Sequence, residues 1–307
     1  MLARLRGVKP VTETDYRARI ECVIKALSDE PEVPRRLDEL ARIAHFSRFH
    51  FHRIYRAMVG EGVIETARRL RLARAALFLA TTDSPVTEIA MDSGYESVAT
   101  FSRAFRNLTN VSPREFRDRG MQLAQLVVGP RPIKRGGSNM QVEIVERARI
   151  KAWTMRLRGA LTPENFKDVY SRLWQWQIDH GIAGRTREAI GIFYGDSEGI
   201  SRGPVEGSGW GGGGDNAFRY YAGVIWDEPL KADGGIELLE VPGGKYASYR
   251  LAGSYHGIPE AFQRLYGEWL PKSGFVPDDR PALEIYRNNP YDTPANDLIT
   301  DLLIPLR

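Results

Sequence analysis

Two stretches of this 307-residue chain carry side chains suited to phosphate and base-edge chemistry at matched spacing. ELARIAHFSRFHFHRIYR, 39–56, and EIAMDSGYESVATFSRAFR, 88–106, each open on Glu-Leu/Ile-Ala, break at a turn and restart at a serine, Ser47 or Ser97. Six residues later stands Arg53 or Arg103, eight later Tyr55 or Phe105, and nine later Arg56 or Arg106. That agreement marks an internal repeat. Each copy reads as a short helix, a turn and a second helix, which is a helix-turn-helix. Phe51, Ile54 and Tyr55, and in the other copy Phe101, Ala104 and Phe105, share an inward face. Phe49, His52 and Arg53, and in the other copy Ala99, Thr100 and Arg103, are expected on the opposite face. There they could meet base edges, with Arg56 and Arg106 directed at phosphates. The planar guanidinium fork suits both targets better than a lysine does. The alternative is a solvated arginine surface. His52 reads equally well as ordinary surface, Phe49 as partly core, and His50 as buried structure. His45, His50 and His52 lack supporting carboxylates, so no metal site is expected.

A third constellation surrounds Glu284 in PALEIY. Strand alternation puts Ala282, Glu284 and Tyr286 on one face, and Leu283 and Ile285 on the other. A carboxylate among strand-forming apolar residues is costly to bury unpaired. It is therefore either a solvated or arginine-paired sheet residue, or a pocket residue. Trp174 and Trp176 lie two apart on a helix and cannot share a face; Trp174 is the expected core residue.

The elements around these residues divide the chain. Residues 1–120 hold 21 Lys+Arg against 16 Asp+Glu, and all but Lys9 and Lys25 of the basic ones are arginine. The remainder is close to neutral. Helical spacing runs through Ile20, Val23, Ile24 and Leu27, then Leu37, Leu40, Ala41 and Ala44, then Ile64, Ala67, Leu70, Ala73 and Leu77. Ser84-Pro85 and Ser112-Pro113 have the order of a helix start. Periodicity is lost across 121–140, where Gly129-Pro130, Pro132 and Gly136-Gly137 mark a linker. After it come strand-like runs at 141–158, 189–195, 218–227, 235–250, 281–287 and 297–305, with helical segments at 163–180 and 257–270. Each half reads as strand, helix, strands, which suggests a duplication. The glycine-rich stretch 197–215 has neither the Lys-Ser/Thr ending of a phosphate loop nor the context of a dinucleotide turn. It reads as a surface loop.

Composition excludes several classes. One cysteine, Cys22, rules out an intramolecular disulfide and a multi-cysteine zinc site. No apolar stretch approaches the ~20 residues of a bilayer span, and the first residues lack the apolar core of a secretory signal. A cytoplasmic protein is expected.

SRFHFHR, the run RLRLARAALFLATTDSPVTEIAMDSGYESVATFSRAFR and the closing VSPREFR resemble the AraC/XylS family DNA-binding domain over residues 10–120. The resemblance implies two helix-turn-helix units entering successive major grooves. It implies base contacts for Phe49, His52 and Arg53, and for Val98, Ala99, Thr100, Ser102 and Arg103. Val98 and Ala99 stand where polar readers are common, so reading in the second groove would lean on Arg103 and on thymine methyl contact. Residues 141–307 resemble the GyrI-like effector-binding domain. That resemblance rests on VEIVERARIKAWTMRLRG, PGGKYASYRLAGSYHGIPEAFQRLYGEWLPKSGF and PALEIYRNNP. It implies a pocket with Glu284 at its floor, meeting a cationic or polar ligand, with Trp153, Tyr221, Trp226 and Tyr286 as the aromatic candidates to stand against a cation.

The expected fold class is multidomain: an all-α double helix-turn-helix domain, then an α+β domain with an antiparallel sheet, helices and an internal duplication. The expected function is a transcription regulator that binds sequence-specific double-stranded DNA and senses a small apolar or cationic effector. RNA polymerase is a further candidate partner, and no cofactor, membrane contact or catalytic residue is expected. The rivals are a hydrolase of cyclopropane-type reactive compounds, with Glu284 activating water beside Tyr286 or Trp226, and a protein-interaction module.

Overall fold

A computed structural model describes residues 12–47, 50–119, 140–159, 161–194, 219–290 and 292–307. Phe49, nearly all of the 121–140 linker and the 197–215 stretch lie outside these. The chain divides into two compact units, one helical and one built on a sheet.

The helical unit holds α1 (Glu13–Asp29) from Arg19 onward, α2 (Leu37–Ile43), α3 (Phe51–Val59), α4 (Val63–Thr81), α5 (Val86–Asp92), α6 (Val98–Thr109) and α7 (Pro113–Asp118). Helices α2–α3 and α5–α6 are the repeated pairs, and α4 joins them. Both second helices end on a left-handed residue, Gly60 (φ 83°) and Asn110 (φ 62°), conformations that glycine and asparagine adopt most readily. Ser97 caps α6 by accepting the Thr100 N–H, and Ser112 caps α7 through the Glu115 N–H. Ser84 makes no such cap: α5 starts at Val86 after Pro85, and the Ser84 carbonyl accepts from Arg117 instead. Around α6 the core is Leu72, Ala75, Ala76, Leu79, Ile89, Ala90, Tyr95, Phe101, Phe105 and Phe116.

The second unit holds β1 (Val142–Arg147), β2 (Ile150–Arg156), α8 (Pro163–Asp179), β3 (Glu188–Tyr194), β4 (Arg219–Ile225), β5 (Ile236–Val241) and β6 (Gly244–Ala252). Helix α9 (Ile258–Arg264) follows and passes through a π turn at Leu265–Trp269 into α10 (Leu270–Ser273). Strands β7 (Ala282–Tyr286) and β8 (Ile299–Pro305) complete it. The expected runs 141–158 and 235–250 are each two strands, broken at Ala148-Arg149 and Pro242-Gly243.

The described strands form one antiparallel sheet in the order β1-β6-β8-β7-β3-β4-β2-β5. Flat, this order would put β1 and β2 about 29 Å apart at ~4.8 Å per strand. The short connection between them reaches at most about 11 Å. The sheet must therefore curl until its two ends meet. Gly243 sits at that seam: a Cβ there would lie 2.7 Å from the Arg147 carbonyl oxygen and 2.8 Å from the Arg149 nitrogen. Ile150, Ala152, Ile190, Ile192, Tyr221, Tyr246, Leu283, Ile285 and Leu303 form one buried cluster on the inner face.

The strand order reads the same when β1–β4 and β5–β8 are exchanged and the list reversed. The unit is thus a duplication with a pseudo-two-fold axis between β3 and β7. Across that axis Gly191 pairs directly with Glu284.

Candidate functional site

Helix α6 leaves the face expected to read DNA open. Phe101 and Phe105 are buried beneath it, while Ala99, Arg103 and Arg106 are exposed and Val98, Thr100 and Ser102 half-buried. The Thr100 hydroxyl bonds the Ser97 hydroxyl at the cap. Helix α3 differs. His52, expected toward solvent, is only 1% exposed. Its position one turn before Tyr55 and two before Val59 places it within a buried band of Phe51, His52, Ile54, Tyr55, Ala57 and Val59. That band is wider than the sequence spacing suggested. Arg53 is half-buried and Arg56 exposed. Phe49 lies outside the described residues, and His50 is buried.

In the sheet unit Glu284 is 2% exposed. Its Oε2 accepts from the Tyr286 hydroxyl at 2.5 Å and the Tyr220 hydroxyl at 3.1 Å. Tyr170 of α8 meets the Tyr220 hydroxyl at 2.6 Å. Since the Tyr220 proton points to the carboxylate, Tyr170 is the donor in that contact. Packing holds these rings in place. Phe166 and Phe193 stand edge-on to Tyr220, and Tyr170 and Tyr255 edge-on to Tyr286. Burial, then the nearby Glu284 charge, pushes Tyr220 and Tyr286 well above the usual tyrosine range and Tyr255 up to about 12. All three stay protonated donors at neutral pH. The site needs Gly191: a Cβ there would sit 2.7 Å from Glu284 Oε2, and the Tyr220 hydroxyl would be closer still.

Three expected aromatic partners stand elsewhere. Tyr221 occupies the inner face, because its neighbour Tyr220 faces Glu284 and successive strand residues alternate. Trp153 shares the outer face but lies three strands from Glu284, about 14 Å away, its ring tilted against that of Trp176. Trp226 follows the end of β4, under the Arg185 guanidinium. Trp176, not Trp174, is the core tryptophan, because it continues the Val169–Leu173 stripe; Trp174 is 37% exposed.

Tyr170, Tyr220 and Gly191 were not singled out from the sequence. A signal for the first exists: PENFKDVY in α8 and PEAFQRLY in α9 repeat Pro-Glu-x-Phe-x-x-x-Tyr, placing Tyr170 as the mate of Tyr266. Among the described residues no group of three or more His, Cys, Asp or Glu could hold a metal, and no helix is long and apolar enough to cross a membrane.

A paired helix-turn-helix in one unit and a duplicated sheet with a buried acid in the other define a DNA-binding regulator carrying a small-molecule domain. Family comparison agrees: residues 40–119 match a helix-turn-helix domain and residues 210–307 a GyrI-like small molecule binding domain. Regulatory protein SoxS of Salmonella typhimurium is 34% identical over 100 residues, covering 33% of this chain and 94% of SoxS. Transcriptional regulator Rob of the same organism is 24% identical over 286 residues, 89% of this chain and 93% of Rob. The EcmrR C-terminal domain aligns over 55% of this chain and 99% of its own, at 14% identity and a TM-score of 0.42. The chain belongs to the AraC-type family of transcription regulators, with a GyrI-like small-molecule domain as its second module.

Proposed function

We propose that residues 10–120 read two successive major grooves, that 121–140 link the modules, and that 141–307 bind a small apolar cation at Glu284. The observation that carries the effector reading is a buried carboxylate ringed by four tyrosines, Tyr170, Tyr220, Tyr255 and Tyr286. Such rings offer π faces to a cation while the acid supplies the opposite charge. On the DNA side, Phe49, Arg53, Val98, Ala99, Thr100, Ser102 and Arg103 are the base-facing set, with Arg56 and Arg106 on phosphates. His52 reaches a base only if its helix loses part of its present burial. RNA polymerase is the further partner of a cytoplasmic regulator of this kind.

A sensor is favoured over a hydrolase. Glu284 Oε2 already accepts two hydroxyl bonds, which lowers its basicity, and the tyrosines are too weakly acidic to serve as bases. A general base must be basic enough to take a proton from water.

The test is Glu284→Gln, which keeps size and hydrogen bonding but removes charge. Binding of a lipophilic phosphonium ion should weaken by about 1.5–3 kcal/mol, as for a charge-assisted contact. A neutral ligand of the same shape should lose much less. Equal losses for both, measured by titration calorimetry, would refute the cation reading. Product formation from either ligand would favour the hydrolase.

A further inference from the structure

We propose that Thr300 is a second polar contact for the effector, so that the site prefers a cation that also carries a hydroxyl or similar group. The proposal rests on the effector reading of Glu284. Thr300 lies on β8 directly across the ladder from Tyr286, as Leu302 lies across from Glu284. Cross-strand partners share a face, so the Thr300 side chain belongs to the face of Glu284 and Tyr286. As a diagonal neighbour it stands roughly 7–8 Å from Glu284.

Thr300 is fully buried, and its hydroxyl has no hydrogen-bond partner among the described residues. A buried hydroxyl left unpaired costs free energy, and such groups are few in native proteins. Valine has the same shape without that cost, so packing alone does not account for threonine here.

The duplication indicates what the hydroxyl lacks. Phe193 pairs with Tyr220 in one half as Tyr286 pairs with Thr300 in the other, so Thr300 is the two-fold mate of Tyr220. Tyr220 donates to Glu284. The mate of Glu284 is Gly191, which offers no side-chain acceptor. Thr300 thus keeps the hydroxyl of a symmetric pair whose acid exists on one side only, and a ligand group can complete it. A threonine hydroxyl both donates and accepts, so an alcohol, phenol or carbonyl on the ligand would serve. The implied ligand is a monocation with an apolar body and one such group at that separation from its charge.

Two probes differ by this feature alone: benzyltriphenylphosphonium and its 4-hydroxybenzyl analogue. Titration calorimetry on the full chain should show the hydroxylated ion bound about 3- to 10-fold tighter, the range of one net hydrogen bond. Thr300→Val should abolish that preference, chiefly by weakening the hydroxylated ion, and Thr300→Ser should retain it. Glu284→Gln should weaken both ions. Equal affinity of the two ions for the wild type overturns the role of Thr300 while leaving that of Glu284 standing. So does a Thr300→Val variant that weakens both alike, which would mark a packing role. No binding of either ion overturns the effector reading and the proposal with it.

Discussion

The chain contains two duplications that diverged in opposite ways. In the helix-turn-helix pair the repeated positions keep their chemistry: Arg53 with Arg103, Arg56 with Arg106, and left-handed caps at Gly60 and Asn110. In the sheet unit the central repeated position does not: Glu284 faces Gly191. The difference follows from geometry. The two helical copies place their arginines on separate helices, α3 and α6, so both can hold one without interfering. The two sheet halves meet at one axis. Two glutamates there would be direct cross-strand partners, Cα atoms about 4.5–5.5 Å apart. Buried like charges at that range repel strongly. A site used twice can stay symmetric, whereas a site shared across an axis must lose one acid.

Restoring the symmetry is the harshest test of this contrast. Gly191→Glu should destabilise the sheet unit by more than about 4 kcal/mol, combining overpacking with an unpaired buried charge. Urea unfolding would read it. Gly191→Ala isolates the steric part and should cost about 1–3 kcal/mol. The nearest atom to the new methyl is the Tyr220 hydroxyl. Adding Tyr220→Phe should therefore recover part of that loss. A tolerated Gly191→Glu would mean that the axis does not force the asymmetry.

The helical repeat was legible because its signal is local: serine, arginine and aromatic recur at fixed offsets within one helix. Glu284 was legible from strand alternation for the same reason. Its partners were not. Tyr220 reaches it from β4, 64 residues away, and Tyr170 of α8 stands behind, bonded to the Tyr220 hydroxyl. Only the strand order brings them together. Tyr220, not the expected Tyr221, meets the acid, because the parity of a strand fixes its faces relative to each other, not which face meets the acid. His52 failed in a related way, since a period-3.6 pattern gives the centre of a buried stripe but not its width. The curl of the sheet was hidden as well, because two long β-rich runs gave no sign that each crosses from one end of the sheet to the other.

The two arginines sharpen the helical side. Arg103→Ala and Arg53→Ala should each weaken binding to a selected site by about 1–3 kcal/mol and relax preference at one position. The half-sites should lie about one helical turn, ~10 bp, apart. Arg106→Ala should instead reduce the salt dependence with little change in base preference. Gel-shift titrations at several salt concentrations separate these outcomes. Loss of preference at the same base for both Arg53 and Arg103 variants would contradict two separate units.

The smallest expected effect probes the joint behind each reading helix. In the first unit the Tyr55 hydroxyl donates to Thr66 at 3.0 Å, and Thr66 donates to Glu61 at 2.8 Å, which Arg69 pairs. The second unit has Phe105 edge-on to Phe116 at the same place, with nothing to titrate. Burial is the main cause that pushes Tyr55 up from 10.0 to about 12, and the Glu61 charge adds to it. A group held protonated in the folded protein contributes its full stability below its unfolded value, here pH 10. That contribution fades as pH rises toward 12. By pH 11 the loss should be about 1.4 kcal/mol, one pKa unit's worth. Tyr246 and Tyr255 also titrate near 12, so the wild type alone cannot isolate Tyr55. The difference between wild type and Tyr55→Phe can. The variant should be the less stable below pH 10, because Thr66 loses its donor, and the gap should close between pH 10 and 12. Unfolding followed by helical circular dichroism at each pH gives that gap. A constant gap would show that Tyr55 does not ionise in this range, and that the polar joint is as insensitive to alkali as its aromatic counterpart.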